Sequence, residues 1–291
     1  MKVHILANHY LVASGRYAAR AFTRLGHTVS SEGPERGNAI WGLHIPGVAP
    51  WTNAKPDGVP DLVVVMDSDP AILDASQRYA DVAPVVVWGV DNHVRDYGRP
   101  WIKRYYLAHR RVSLTAWDDT SMVQLPCAYD DAAFTPSPIP FDRRAYDVCM
   151  IGVMYPERWR LVQQLRAAGL RVLAGTGLVY EAYRDAYHNS RVSLCISACG
   201  DVAQRVFETA AMGCAVVTDK CADFDILKPV SFYAYDYPAP RQLIPLAEQI
   251  TAYLEHPHKA RMNAELSQSW AAPHTWVSRA QALINDWRSR G

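Results

Sequence analysis

The sequence lacks a large net charge, a long apolar run and a secretion signal. Its 291 residues include 30 Lys and Arg against 29 Asp and Glu, so the formal net charge is +1 at pH 7. This balance gives no overall preference for nucleic acid or membrane surfaces. No run approaches the roughly 20 apolar residues of a membrane span, and Met1 leads directly into a strand-like segment rather than a signal peptide. We therefore expect a cytoplasmic protein without a membrane span.

The cysteines contain no C-x-x-C pair. All six stand in or near apolar segments, at positions 127, 149, 195, 199, 214 and 221. Free buried thiols in a reducing compartment are the expected interpretation, ahead of zinc sites or disulfides.

The glycine fingerprint of dinucleotide-dependent dehydrogenases is also absent. A strand is predicted from Lys2 to Ala7 and a helix from Ser14 or Gly15 to Leu25, but the loop between them has no G-x-G-x-x-G pattern. This loop still lies at the carboxyl end of the first strand, where open α/β sheets bind ligands. Its candidates for lining a cleft, which equally suit ordinary loop and capping roles, are His9, Ser14, Gly15 and Arg16.

What the sequence does contain is an alternation of apolar strands and amphipathic helices. This order predicts an α/β protein with parallel sheets. A chain of 291 residues suits two domains, and the proline-rich stretch that ends near position 140 is the best boundary between them. We predict domains at 1–140 and 141–274, followed by a last helix within 275–291.

The most informative stretch is Gln204 to Asp219, which reads QRVFETAAMGCAVVTD. Residues three apart on a helix are neighbours, so Arg205 and Glu208 project together. An arginine can pair with phosphate oxygens, and a carboxylate can accept hydrogen bonds from the two ribose hydroxyls. The loop at Asp201 leaves backbone N–H groups at the helix N-terminus, where anions bind. The stretch therefore suits a nucleotide-sugar, although an ion pair on a solvated helix face explains the same spacing.

Three segments carry a resemblance to a known family. YHNSRVSLCIS, QRVFETAAMGCAVVTD and HTWVSR are similar to the C-terminal domain of the CgeB-type (spore-maturation) glycosyltransferases, a group-1-like branch of the GT-B enzymes. The similarity covers about half the chain and is most specific in the Arg-Val-Phe-Glu core. It implies two Rossmann-like domains that face each other across a cleft, with the acceptor on the side of the first and the donor on the second. The last helix would cross back to the first domain.

The resemblance also implies the chemistry. The donor would be a UDP-sugar or another nucleotide-sugar, held by Arg205 and Glu208, with no further cofactor or metal. Gly152, Arg158 and Gly175 follow strands of the same domain and would lie near the diphosphate or the base. Many retaining GT-B enzymes carry a second glutamate eight residues before the first. That position is Gly200 here, with Asp201 one place away, so the stereochemical outcome stays open.

Asp91 and His93 are the candidate catalytic residues of the first domain. They follow the apolar run 84–89, at the carboxyl end of a predicted strand. A transferase needs a positioned group to take the proton from the acceptor hydroxyl. Both residues equally suit turn or capping roles.

A D-x-D pattern, Asp67-Ser68-Asp69, follows the apolar run 61–66. It resembles the metal-binding signature of the GT-A class of glycosyltransferases. Asp69 and Pro70 are better explained as the N-cap and first position of a helix. We therefore predict no metal site.

The acceptor is the least determined part of the function. A glycan or small molecule is the leading expectation, and DNA carrying a hydroxylated base is an alternative. The only support for DNA is a predicted basic and aromatic helix over 99–112, which could track a phosphate backbone or simply have a basic solvated face. A GT-B-like protein that binds a nucleotide-sugar without turnover is a third possibility, favoured by Gly200. The helix stripe consists of Arg99, Lys103, Tyr106 and Arg110.

Overall fold

Short apolar runs form the strands of two parallel sheets. The computed structural model describes residues 1–35, 37, 39–40, 43–44, 49–66, 69–92, 95–109, 121–197, 200–229, 232–235 and 243–290. Contacts divide the chain into two units, Met1–Cys127 with Trp276–Gly291, and Ala128–Thr275.

In the part of the chain that the structure describes, the first unit contains most of the strands and three α-helices. Its elements are β1 (Lys2–Leu6), α1 (Ser14–Arg24), β2 (Thr28–Glu32), β3 (Ala39–Ile40), β4 (Leu43–His44), β5 (Leu62–Val65), α2 (Pro70–Ala75), β6 (Val85–Gly89), β7 (Ile102–Leu107), β8 (Met122–Gln124) and α9 (Trp276–Arg288). A 3-10 helix, Ser76–Tyr79, follows α2. β3 and β4 form an antiparallel pair.

The main sheet of the first unit has the strand order β2-β1-β5-β6-β7-β8. All of its strand pairs are parallel. β5 and β6 are buried along their whole length, which is why they read as continuous apolar runs. The chain leaves β1 toward β2 on one side and continues with β5 on the other. This reversal marks the point at which open α/β sheets bind ligands.

The second unit is also built on a parallel sheet with helices, and this sheet has five strands in the described part of the chain. Its elements are β9 (Tyr146–Ile151), α3 (Pro156–Ala167), β10 (Val172–Gly175), α4 (Tyr180–His188), β11 (Ser190–Cys195), α5 (Gln204–Ala211), β12 (Ala215–Asp219), α6 (Phe224–Leu227), β13 (Tyr233–Tyr235), α7 (Leu243–Leu254) and α8 (Pro257–Ala271). A 3-10 helix, Phe141–Arg143, precedes β9. The strand order is β10-β9-β11-β12-β13, and every pair is parallel. Here the order reverses between β9 and β11.

Each unit has its own apolar core. In the first unit, the core joins β1, β5, β6 and β7 to α2. The α9 helix packs on α1, where the rings of Tyr17 and Trp276 stack with their centroids 6.2 Å apart. In the second unit, the core joins the central strands to α3, α7 and α8. The alternation of strands and helices predicted from the sequence is confirmed in both.

Candidate functional site

The reversal point of the second sheet brings together the ends of β9 and β11. β9 ends at Ile151 and is followed by Gly152, while β11 leads through a loop into α5. The carboxyl ends of parallel strands meet at one edge, and a ligand commonly binds where the strand order reverses. The side chains of α5 therefore lie where a ligand is expected.

Arg205, the second residue of α5, lies directly against Gly152. A Cβ atom built on Gly152 would come within 3.1 Å of Nη2 and 3.2 Å of Cζ. Gly152 has a φ angle of +149°, a conformation that also favours glycine. The Nη1 atom of Arg205 is buried and has no hydrogen-bond partner among the described residues. A guanidinium is thus held at the edge of the sheet with one donor nitrogen unused.

Arg158 lies close enough to Arg205 for their charges to interact. Its side chain is only 4% exposed, and it donates to the carbonyl oxygens of Val153 at 2.8 Å and Ile196 at 2.5 Å. Burial lowers the pKa of Arg158, and the positive charge of Arg205 lowers it further. Arg158 therefore ties the loops after β9 and β11 together and adds positive potential beside Arg205.

Glu208 is buried, not on a solvated helix face. Its carboxylate accepts hydrogen bonds from Tyr183 Oη at 2.8 Å and Gln204 Nε2 at 2.7 Å. Burial raises its pKa, against the opposing effects of these two bonds and of Arg205. Tyr183, which belongs to α4, was not among the residues predicted for this site. The arrangement fixes a carboxylate one helical turn from Arg205.

The loop before α5 is anchored by Asp219 at the end of β12. Asp219 accepts hydrogen bonds from the Ser197 backbone N–H at 2.8 Å and from Ser197 Oγ at 2.5 Å. Ser197 Oγ in turn accepts the Gly200 N–H at 2.8 Å. Ala203 is the N-cap of α5, and no side chain in the described part of the chain forms a capping hydrogen bond with this helix. The first-turn N–H groups are therefore left for another acceptor.

Gly175 and Asp201 complete the predicted donor residues. The Gly152 N–H donates to the Gly175 carbonyl oxygen at 2.9 Å, so the two loops are adjacent. Asp201 is half-buried, and its negative charge acts on both Arg158 and Asp219. The structure thus brings Gly152, Arg158, Gly175, Asp201, Arg205 and Glu208 to one edge of the second sheet.

The four candidates near the end of β1 lie in the first unit. His9 is fully buried, and neither ring nitrogen has a hydrogen-bond partner among the residues that the structure describes. Its ring stacks on Trp51 with the centroids 3.9 Å apart. Gly15 is buried at the start of α1, where an added Cβ would lie 3.0 Å from Trp51. Ser14 begins α1, and Arg16 donates to the carbonyl oxygens of Leu11 and Ala49.

Asp91 follows the end of β6, as predicted for a residue at the edge of the first sheet. It is half-buried, and its backbone N–H lies 3.4 Å from Tyr97 Oη. The neighbouring Asn92 is fully buried and exchanges two hydrogen bonds with the backbone of His109. This clamp, which sequence reasoning missed, fixes the loop that carries Asp91. His93 lies outside the described residues.

The helix predicted over 99–112 is wrong where the structure describes it. Residues 102–107 form the strand β7. Tyr106 is fully buried and donates to Asp286 at 3.0 Å, so it cannot stack on a base. Arg99 pairs with Asp74 at 2.7 Å. Lys103 is the one exposed residue of β7, and Arg110 lies outside the described residues. The surface on which the DNA alternative depended is therefore absent from 99–109.

Two further findings concern metals and membranes. The described residues contain no group of three or more His, Cys, Asp or Glu side chains arranged to hold a metal ion. Asp69 caps α2 by accepting the Ala71 N–H at 2.9 Å, with Pro70 in the first turn; Asp67 and Ser68 lie outside the described part.

Among the helices in the described part of the chain, none is long and apolar enough to cross a membrane.

Comparison with known proteins gives one family match. Residues 140–285, just over half of the chain, match the model of a family described as glycosyl transferase-like. This range contains every donor residue predicted from the sequence. The CgeB-type branch is not resolved by this match. No curated protein matches the chain.

Solved structures match almost the whole chain. HepE (Alr3699) from Anabaena, in complex with UDP-glucose, is 12% identical with a TM-score of 0.69, over 99% of this chain and 100% of that one. A glycosyltransferase from Rickettsia africae ESF-5 is 11% identical with a TM-score of 0.64, over 99% and 98%. Sucrose-phosphate synthase from Thermosynechococcus elongatus is 12% identical with a TM-score of 0.63, over 99% and 98%. These likenesses confirm the GT-B fold.

Proposed function

The chain belongs to the glycosyl transferase-like family, and from this membership we propose how it holds its donor and which residues act on it. It is a GT-B glycosyltransferase that moves a sugar from a nucleotide-sugar to an acceptor hydroxyl. The donor site would lie in the second unit, at the edge of the sheet where β9 and β11 end. The first unit would carry the acceptor.

The unused Nη1 of Arg205 is the observation that carries this proposal. A buried donor without a partner costs roughly 1–3 kcal/mol. An unpaired donor at the reversal point of the sheet therefore indicates a ligand that accepts its hydrogen bond. A diphosphate supplies anionic oxygens that a guanidinium can bind with paired hydrogen bonds. Gly152 lets the Arg205 guanidinium lie against the backbone after β9, and the N-terminus of α5 would add backbone donors.

Glu208 would hold the ribose. Tyr183 and Gln204 fix its carboxylate, which has further lone pairs for two ribose hydroxyls. Gly175 and Asp201 would also line the donor site, Gly175 near the nucleobase and Asp201 in the loop before α5. We propose UDP as the nucleotide, because HepE was solved with UDP-glucose and with UDP. Arg158 would act mainly by holding the two loops and by adding positive potential.

In the reaction, the bond between the anomeric carbon and the diphosphate oxygen breaks. A bond from the acceptor oxygen to that carbon forms, and the hydroxyl proton leaves to a base. Arg205 and the N-terminus of α5 would stabilise the negative charge that builds on the leaving diphosphate, and the proposal includes no metal or further cofactor. Asp91 is the proposed base, with His93 as its alternative.

Three finer assignments belong to the same proposal. The family branch would be CgeB-type, as the sequence segments indicate. The acceptor would be a glycan or a small molecule. A cytoplasmic location would suit the five described cysteines, which form no disulfide within the described part of the chain, because disulfides rarely persist in reducing compartments.

The test is release of nucleoside diphosphate from a panel of UDP-, GDP-, ADP- and dTDP-sugars, with and without added acceptor alcohols. We expect one nucleotide family to be turned over by the wild type. The Glu208→Ala variant should lose this turnover while staying folded by circular dichroism. Absence of any release at high enzyme concentration, despite nucleotide binding, would instead indicate a protein that binds the donor without transfer.

A further inference from the structure

The first unit contains an open cavity of about 720 Å³ that no proposed donor residue lines. It lies where β1 and β2 end, and Leu6 and Glu32 belong to its wall. Small-molecule sites commonly measure roughly 300–1,000 Å³. The edge formed by the carboxyl ends of the strands is also where open α/β sheets bind ligands. Size and position therefore indicate a site for a small organic molecule.

One side of the cavity is apolar. Leu6 and Ile72 contribute buried side chains, and Ala71 and Ala75 contribute methyl groups from the exposed face of α2. Pro56 belongs to the wall formed by the segment after Asn53. These five residues offer apolar contact area, while Ser31, Asn53 and Lys55 add polar groups to the lining. A ligand that fills it gains by removing apolar surface from water.

The other side carries a fixed carboxylate. Glu32 forms an ion pair with Arg78 at 2.5 Å and accepts a hydrogen bond from Tyr79 Oη at 3.0 Å. Tyr79 Oη also lies 3.0 Å from Nε2 of the buried His4. Burial alone would raise the pKa of Glu32, but the hydrogen bonds from Arg78 and Tyr79 outweigh it and lower the pKa. The carboxylate is thus ionised.

Glu32 retains the capacity to bind a ligand. Its side chain is 41% exposed and that of Arg78 is 50% exposed, and an ionised carboxylate offers about four acceptor sites. A ligand hydroxyl could donate to Glu32 and accept from Arg78. Both groups sit beside the apolar wall, so one molecule with a polar end and an apolar body would satisfy both sides.

We propose that this cavity binds a small molecule with an apolar body and a hydroxyl group, and that this molecule is the sugar acceptor. The assignment rests on the proposed transferase function, which requires an acceptor hydroxyl. In the transfer, this hydroxyl loses its proton to the base, its oxygen bonds to the anomeric carbon, and the nucleoside diphosphate leaves with the former sugar bond electrons. A glycan chain fits less well, because those of its hydroxyls that face Leu6, Ile72 and Pro56 would have no hydrogen-bond partner there.

Filling the cavity tests the proposal. Ala71 and Ala75 are exposed and four residues apart on α2, so Ala71→Trp and Ala75→Trp should fold while their rings occupy the space. The matched control is Ala282→Trp, an exposed position on α9. Naphthol serves as the probe with an apolar body, and maltotriose as the glycan probe. Binding of each probe and sugar transfer to it are measured, with donor hydrolysis by water followed in parallel.

The wild type and Ala282→Trp should bind naphthol and glycosylate it. Ala71→Trp and Ala75→Trp should lose at least tenfold in both, with donor hydrolysis unchanged. The proposal is overturned if the wild type does not bind naphthol, if the tryptophan variants bind and glycosylate it normally, or if maltotriose is the better acceptor. If the wild type neither hydrolyses any donor nor transfers its sugar, the transferase function is refuted. Binding of naphthol would still decide whether the cavity is a ligand-binding site.

Discussion

Arg205 and Gly152 are packed so closely that a side chain on the glycine would press against the guanidinium. A Cβ on Gly152 would lie 3.1 Å from Nη2 and 3.2 Å from Nη1 of Arg205. Gly152 directly follows β9, and Arg205 is the second residue of α5, the helix after β11. Their contact puts a positive charge at the point where the strand order reverses. The proposed donor site depends on this pair.

Gly152→Ala should weaken nucleotide binding by at least tenfold, because the methyl group displaces the Arg205 guanidinium. The positive φ adds strain of about 1–3 kcal/mol, so the melting temperature should also fall. Gly169→Ala is the control, since Gly169 has a φ of +88° and no atom within 4 Å of an added Cβ. It should lose similar stability and bind UDP normally. Equal UDP affinity in both variants, measured by calorimetry, would contradict the role of the contact.

Glu208→Gln should make the protein more stable at neutral pH while abolishing the stabilisation given by UDP. Burial raises the pKa of Glu208 in the folded state, so ionisation of this group opposes folding. Each unit of pKa shift corresponds to about 1.4 kcal/mol. The amide retains one oxygen for Tyr183 or Gln204 but loses the charge that would bind ribose hydroxyls. Thermal melts with and without UDP measure both effects.

The gain in melting temperature from Glu208→Gln should increase as the pH rises. A carboxyl whose folded pKa is above its unfolded value destabilises the fold as pH rises, and this penalty disappears where both states are protonated. The melting temperatures of wild type and variant should therefore differ most at pH values above the raised pKa of Glu208 and converge in acid, below the ordinary pKa of a glutamate. Glu265→Gln, on the exposed face of α8, should match the wild type throughout. A difference that grows toward acid would show that the charge stabilises the fold.

Two buried histidines of the first unit should respond oppositely to the same substitution. Within the described part of the chain, His9 has no hydrogen-bond partner for either ring nitrogen. His4 Nδ1, in contrast, lies 2.8 Å from Ser30 Oγ, and its Nε2 lies 3.0 Å from Tyr79 Oη. His9→Phe keeps a ring against Trp51 and removes unpaired nitrogens, so it should raise stability. His4→Phe should lower it by roughly 1–3 kcal/mol, because Ser30 and Tyr79 lose their partner. Urea unfolding gives the free energy of unfolding of both variants and the wild type. A change of the same sign in both variants would contradict the prediction.

Local signals in the sequence located most of the fold. Asp69 and Pro70 were predicted to begin a helix, and the structure places them at the N-cap and first turn of α2. The apolar run after Gly213 was predicted as a strand and forms β12. These features depend on neighbours within a few residues along the chain. A single sequence is therefore sufficient to find them.

The strand β7 shows where such reasoning fails. Arg104 looks like a residue of a solvated face, yet it is 5% exposed and pairs with Asp286 at 2.8 Å. The partner lies on α9, 182 residues away. Without that contact, the alternation of basic and aromatic residues fits a helix as well as a buried strand. Tertiary pairing, which the sequence does not display, decided the structure.

The proposed donor site could be predicted only in part, because some of its contacts are local and others are tertiary. Spacing on one helix predicted that Arg205 and Glu208 would project together. It could not predict that Tyr183 holds the carboxylate or that Asp219 anchors the loop before α5, because these partners come from other elements. Gly152 was identified through family resemblance, and its close approach to Arg205 emerged only from the structure.

Titration of UDP into the wild type, Arg205→Met and Arg160→Met tests the central proposal most directly. Arg205→Met should stay folded, because it removes an unpaired buried nitrogen, and its affinity for UDP should fall roughly 10- to 150-fold with the loss of charge-assisted hydrogen bonds. Arg160 is exposed on α3, so Arg160→Met should bind UDP like the wild type. If Arg205→Met binds UDP as tightly as the wild type, Arg205 does not hold the diphosphate and the proposed donor site is wrong.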